Sequence, residues 1–211
     1  MEKLLNFVIF ISLCIIGYAF FHAPSKEISY VNSDFPVEPV QTRYLNDDFI
    51  AINQKELDLK IYPKAKYQIY AMVMSKHKYS FGWQSRISPY DFALAWDKLM
   101  LLEYQKGISY SQSGRWYYYN YKAEYPLQNS YIMSHSSNHH IIPCNDNLKK
   151  AADRIKKGDK IYLEGYLVSI KGKLKGRDVW WNSSLSRNDS GDGACELLYL
   201  TKAIIENETF E

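Results

Sequence analysis

The sequence predicts an α+β fold: a mainly antiparallel sheet, or a small OB-like β-barrel, carrying two helices and preceded by an N-terminal transmembrane helix. Three observations predict it. An uncharged apolar run opens the chain, two segments with helix-cap signals lie in its middle, and from Asp159 onward β-rich runs alternate with glycine turns.

The opening run, Leu4 to Phe21, holds Asn6 and Ser12 as its clearly polar members. Eighteen residues in a helix reach about 27 Å, close to the hydrocarbon thickness of a bilayer. Tyr18, Phe20 and Phe21 gather at its far end, where aromatic rings favour the membrane interface. Residues 1–22 therefore read as a membrane anchor, with a cleaved signal peptide as the alternative. Against cleavage, Phe21-His22-Ala23 puts a bulky ring where a small residue belongs, and Leu13 spoils a lipoprotein box at Cys14. Residues 23–48 read as an extended spacer, because Pro24, Pro36 and Pro39 fall within it. The remaining stretch, 49–211, reads as one globular α+β domain.

Within that domain, Lys66–Met74 has the apolar texture of a central strand. Ser88-Pro89-Tyr90-Asp91 has the form of a helix start, with Phe92, Ala95, Trp96, Leu99 and Met100 following at helical spacing up to Gly107. Gly114–Tyr121 reads as a strand with Trp116 and Tyr118 on one face and Tyr117, Tyr119 and Tyr121 on the other. A second helix is signalled by Asn145 or Asp146 as cap, Leu148, Ala151, Ala152 and Ile155 on one side, and Gly158 as stop. Asp159–Ile170 is a long strand with Gly165 inside it, the mark of a bulge or bend. Lys171–Gly176 reads as a turn, Val179–Leu185 as the next strand and Leu197–Ile205 as the last.

Composition limits the function classes. The chain has 211 residues, 46% hydrophobic and 23% charged, which is ordinary for a globular protein. A net charge of +3 lacks the local basic excess of a nucleic-acid binder, and nucleic acid is not expected as a partner. Three cysteines exclude a disulfide-dense miniprotein and a four-cysteine zinc site. No cofactor is expected; zinc and calcium are the two weighed.

Two clusters carry candidate chemistry. His135-Ser-Ser-Asn-His139-His140 holds three of the five histidines, and His135 with His139 and Glu196 would be the zinc ligands. If the segment is extended, His139 and His140 point to opposite faces and do not share an ion. The plain alternative is a polar loop leading into a strand at Ile141-Ile142. The second cluster runs from Ser183 to Glu196. Asn188-x-Ser190-x-Asp192-Gly193 copies the first half of a calcium loop, but Tyr199 stands where the bidentate Glu belongs. Arg187, flanked by Ser184, Ser186 and the amides of a glycine turn, suits a phosphate, sulfate or carboxylate, with Asp189 as a neighbouring candidate, and otherwise pairs with Asp189 or Asp192 across a hairpin loop. Trp116 and Trp180 are the aromatic platforms for a sugar or ring. Cys144 and Cys195 are a disulfide candidate in an oxidising compartment, one that would join the two clusters.

The segments Ser88–Trp96 (SPYDFALAW), Ser111–Trp116 (SQSGRW), His135–Pro143 (HSSNHHIIP) and Ser183–Glu196 (SSLSRxDxGxGACE) together resemble a group of small uncharacterised bacterial exported or membrane-anchored proteins, over about residues 66–200. The resemblance implies a bacterial, envelope-facing protein and carries no activity. The expectation is a single-pass protein of the cytoplasmic membrane, anchored by Leu4–Phe21. Its C-terminal domain would lie on the periplasmic or extracellular side and bind a ligand, an envelope protein or a glycan through His135, His139, Arg187, Asp189 and Trp116 or Trp180. Two alternatives stand beside it: a hydrolase using His135 or His139 with Arg187 steadying an anion, and a structural subunit with no small-molecule site.

Overall fold

The computed structural model describes residues 35–186, 191 and 193–211. The segment expected as an anchor, Leu4–Phe21, lies outside them, and among the described residues no helix is long and apolar enough to cross a membrane. From Phe35 to Glu211 the chain forms one compact unit.

That unit is α+β with a mainly antiparallel sheet. Its strands are β1 (Val40–Arg43), β2 (Ile50–Gln54), β3 (Leu57–Lys78), β4 (Tyr90–Ala95), β5 (Ile108–Ser113), β6 (Trp116–Tyr121), β7 (Ser136–Pro143), β8 (Lys160–Leu174), β9 (Arg177–Asn182), β10 (Glu196–Ile205) and β11 (Glu208–Phe210). Three short helices, α1 (Leu102–Gln105), α2 (Asn129–Ser134) and α3 (Asp146–Arg154), complete it with two 3-10 turns at Gln84–Arg86 and Asp97–Met100. The sheet order is β1-β3-β4-β7-β10-β8-β9, and β3 also pairs with β8, so the path β3-β4-β7-β10-β8 returns to its start. All of these pairings are antiparallel except β7 with β10, which run parallel. Strands β5 and β6 form a separate hairpin.

Strand β3 carries the sheet because its apolar residues alternate: Leu57, Leu59, Ile61, Ala65, Tyr67, Ile69, Ala71 and Val73 are buried while Asp58, Lys60, Lys64 and Lys66 are exposed. A register shift between Pro63 and Ala65 divides its inward face between two cores. The larger core joins Tyr67, Ile69, Phe92, Leu94, Ile141, Leu163, Leu198 and Leu200, with α3 inserting Leu148, Ala151 and Ala152. The smaller gathers Leu57, Leu59, Ile61 and Ile170 against β2 and β9. Gly165 lets β8 press onto β10, since a Cβ there would stand 2.0 Å from the Tyr199 carbonyl oxygen, next to a register shift between Leu200 and Lys202.

Several expectations are corrected. The segment after Ser88 is a strand, not a helix: all six residues of β4 are buried, with Tyr90, Phe92 and Leu94 in the main core and Ala93 and Ala95 under the β5–β6 hairpin. A strand covered on both faces shows an unbroken apolar run, and its spacing mimics a helix. The histidine segment is likewise β7, buried along nearly its whole length between β4 and β10, not a loop. The turn expected over Lys171–Gly176 shrinks to Lys175-Gly176, both in the left-handed region, with Gly172 inside β8. Part of the expected spacer is folded too. Phe35 stacks on Tyr70 and Tyr162, and β1 pairs with β3. Helix α3 forms as read, with the Asn145 side chain accepting from the Leu148 N–H at 2.9 Å.

Candidate functional site

The outer faces of β4 and β7 meet the tip of the β5–β6 hairpin and the start of β10, and a polar cluster fills the junction. At its centre Asp91 is 0% exposed. Its Oδ1 receives Arg115 Nη1 at 2.7 Å and lies 2.9 Å from His140 Nδ1, and Asn138 Nδ2 reaches its Oδ2 at 3.4 Å. Asn138 also donates to the Arg115 carbonyl at 3.0 Å and accepts from Gln112 Nε2 at 2.7 Å. The Cys195 thiol faces the Arg115 carbonyl at 3.9 Å and the Asn138 amide at 3.8 Å.

Local backbone chemistry places each group. Gly114 and Arg115 form the hairpin turn with φ of +59° and +74°, the geometry a two-residue hairpin demands. Arg115 is a strained choice there, because a residue with a Cβ disfavours the left-handed region. Its side chain folds back over the Tyr79 ring, 3.9 Å from the centroid, and donates to the Ser88 carbonyl at 3.0 Å. The Tyr79 hydroxyl accepts from the Arg115 N–H at 2.9 Å, and burial raises that hydroxyl's pKa above its ordinary value. Alternation along β7 sends Asn138 and His140 outward to this cluster and His139 inward, where its Nε2 lies 2.9 Å from the Tyr67 hydroxyl. Parallel pairing then sets Glu196 opposite His139, so Cys195 falls beside the Asn138 position.

Two cavities open onto the cluster. The larger, about 600 Å³, lies between the hairpin's outer face and the start of β7. The smaller, about 320 Å³, is walled by Arg115, His140, Trp180 and Trp181. Trp116 and Cys195 line both, so the cavities form one cleft, and each has a size typical of small-molecule sites. Tyr117, half-buried beneath the larger cavity, donates to the Ser136 carbonyl at 3.0 Å, and burial pushes its pKa up to about 12.

The expected site residues separate into three groups. Trp116, Trp180 and Glu196 line the cleft, Trp180 being 70% exposed at its rim. Among the described residues His135, His139 and Glu196 form no shared metal-ligand group, although His139 stands opposite Glu196 on the paired strand. His135 stacks on Tyr131 at 3.8 Å and pairs with Glu38 at 3.1 Å, and His139 is enclosed in the core. Arg187 and Asp189, with the calcium-like positions Asn188, Ser190 and Asp192, lie outside the described residues. Cys144 is a free thiol packed against the main core, so it makes no bond to Cys195. Parallel strand pairing, rather than a disulfide, brings the histidine segment to the second cluster. Among the described residues one group has metal-ligand character: Glu38, Asp97 and His135 present ligand atoms within 4.8 Å of one another. Its carboxylates already accept from Trp96 Nε1 at 2.8 Å and from the Tyr131 hydroxyl.

Asp91, Gln112, Arg115, Asn138 and Trp181 were not among the residues expected at a site, and His140 was discounted beside His139. The signal was present at a coarser level, because each of the four motif segments contributes. Asp91 comes from the first, Gln112, Arg115 and Trp116 from the second, Asn138 and His140 from the third, and Cys195 and Glu196 from the fourth. No protein-family model, curated protein or solved structure matches this chain.

Proposed function

We propose that this chain is a membrane-tethered bacterial envelope protein whose folded unit is an OB-like barrel that binds a ligand in the cleft beside Asp91, Arg115 and His140. The barrel is supported by the closed order β3-β4-β7-β10-β8, by the parallel pair β7–β10, and by helix α3, which lies in the chain between β7 and β8, the third and fourth of these strands in sequence order. Small barrels of this kind use one sheet face and the adjoining loops for ligands, which matches the position of the cleft. The single observation that carries the reading is that four motifs scattered from Ser88 to Glu196 meet at one cleft. Trp116, Tyr118 and Trp180 all line the cleft and remain 38%, 51% and 70% exposed, a grouping of aromatic rings that favours a ligand over a purely structural role.

The test is a fragment screen by NMR on isotopically labelled protein. The expected result is binders whose shift changes cluster at Trp116, Trp180 and Cys195 and vanish in Trp116→Ala. Binders that map elsewhere, or none, overturn the reading. Fractionation and protease accessibility of the full chain in cells test the tether and its orientation. A second reading, hydrolysis, is favoured by one observation: His140, with its Nδ1 2.9 Å from the Asp91 carboxylate, lines the same cavity as Cys195. Under it Cys195→Ser retains binding and abolishes turnover.

A further inference from the structure

Resting on that ligand-binding reading, we infer that the cleft takes a neutral oligosaccharide chain rather than a charged polymer or a single small ring. Shape is the first reason. The two cavities adjoin at Trp116 and Cys195, and together they hold more than a single small ring. Trp116 and Tyr118 lie two positions apart on the exposed face of β6, about 7 Å along the strand, and are 38% and 51% exposed. Trp180 continues the aromatic wall on the far side. Flat apolar rings at successive positions suit the apolar faces of successive sugar rings, as they suit any stacked ring.

The polar lining decides between sugar and nucleic acid. The larger cavity presents hydroxyls and an amide from Ser111, Asn120, Ser134 and Ser137, groups that exchange hydrogen bonds with a polyhydroxylated ligand. Among the described residues it has no Lys or Arg lining, and Glu196 gives it a carboxylate. A phosphate backbone is held chiefly by cations, whereas the described lining offers hydroxyls, an amide and aromatic rings. In the smaller cavity the Arg115 charge is compensated by Asp91, which it meets through Nη1 at 2.7 Å, while its Nη2 has no hydrogen-bond partner among the described residues.

The experiment titrates the full-length protein, held in a detergent without a sugar headgroup, with cellotetraose, chitotetraose, maltotetraose and xylotetraose. A heparin tetrasaccharide and an eight-residue oligothymidylate are the polyanion controls, and tryptophan fluorescence is the readout. At least one neutral tetraose is expected to change the fluorescence saturably, more tightly than its monosaccharide. Trp116→Ala should weaken it roughly tenfold, the loss expected for removing one stacked ring. Trp180→Ala, at a site too exposed to threaten folding, should also weaken it, whereas Leu102→Ala, at an exposed residue that lines neither cavity, should not. Saturation by none of the four neutral sugars, or tighter binding of either polyanion, overturns the inference. If fragments still map to Trp116 in either case, only the ligand class fails. If they do not, the ligand-binding reading fails with it.

Discussion

Asp91→Ala tests whether the polar cluster is a single network. The wild-type carboxylate is fully buried and holds three groups: Arg115 at 2.7 Å, His140 at 2.9 Å and Asn138 at 3.4 Å. Removing it leaves a guanidinium that is only 18% exposed, with the Ser88 carbonyl and the Tyr79 and Trp181 rings still beside it. Breaking a buried pair by deleting one partner costs about 3–5 kcal/mol, and the retained contacts of Arg115 place this case near 3. At about 2–4 °C per kcal/mol for a unit of this size, the melting temperature should fall by roughly 6–12 °C. Removing both charges in Asp91→Ala/Arg115→Met avoids the orphaned cation, so the double variant should cost less than the sum of the singles, with a coupling of about 2 kcal/mol. Arg115→Gly adds a backbone control. Glycine accepts the φ of +74° without strain, so it should be about 1 kcal/mol more stable than Arg115→Met. Urea unfolding of all five proteins, with constant m-value as the check on two-state behaviour, measures each quantity. A cost below about 1 kcal/mol for Asp91→Ala, or singles that simply add within about 0.5 kcal/mol, would show that these groups do not act together.

Three further outcomes follow from single features of the fold. Gly165→Ala should cost about 3 kcal/mol or prevent folding, because its Cβ would meet the Tyr199 carbonyl at 2.0 Å, and urea unfolding or soluble yield reads the effect. Lys76→Met should cost about 2 kcal/mol in the same assay. The Lys76 ammonium accepts no substitute where it donates to the Ala152, Asp153 and Ile155 carbonyls at 2.7, 2.9 and 2.8 Å and closes the C-terminus of α3. Asp153 has its pKa held below the ordinary carboxylate range, first by the hydrogen bond from Lys78. A folded pKa below the unfolded one of about 3.9 means that its stabilisation is present above that pH and lost as pH falls through the lowered value. Melting temperatures of wild type should therefore fall more steeply with acidification below about pH 4 than those of Asp153→Asn, and parallel curves would refute the linkage.

What the sequence revealed, and what it hid, divides along physical lines. Helix α3 was legible because its information is local: a cap at Asn145, an apolar stripe and lysines near its end all sit within one short segment. Strands β8 and β10 were legible for the same reason, through β-branched and aromatic runs preceded by glycine turns, and the Lys66–Met74 part of β3 through its apolar texture, while the sequence reading stops short of the Leu57–Ala65 half of that strand. Strand β4 was not, because burial on two faces by two different partners removes the alternation that identifies a strand. The placement of Asp91 was lost with it. An acidic residue three positions after a serine looks like the first turn of a helix, and only pairing of β4 with β7 puts it opposite His140.

The histidines show why residue chemistry alone misplaces a site. His135, His139 and His140 offer the same imidazole, yet one lies against Glu38, one against Tyr67 in the core and one against Asp91 in the cleft. The difference between the last two is one residue of strand register, which reverses the face a side chain takes. That register is set by the apolar neighbours, Ile141 inward with the main core and Ile142 outward with the smaller one, rather than by the polar groups themselves. The parallel partner strand then decides which residues join them: setting Glu196 opposite His139 brings the Cys195 thiol to Asn138 without any covalent link. The cluster is thus a consequence of packing four apolar strands in a fixed register. A change that slips β7 by one residue, with every polar side chain retained, would put His139 in the cleft and His140 in the core and dismantle the site.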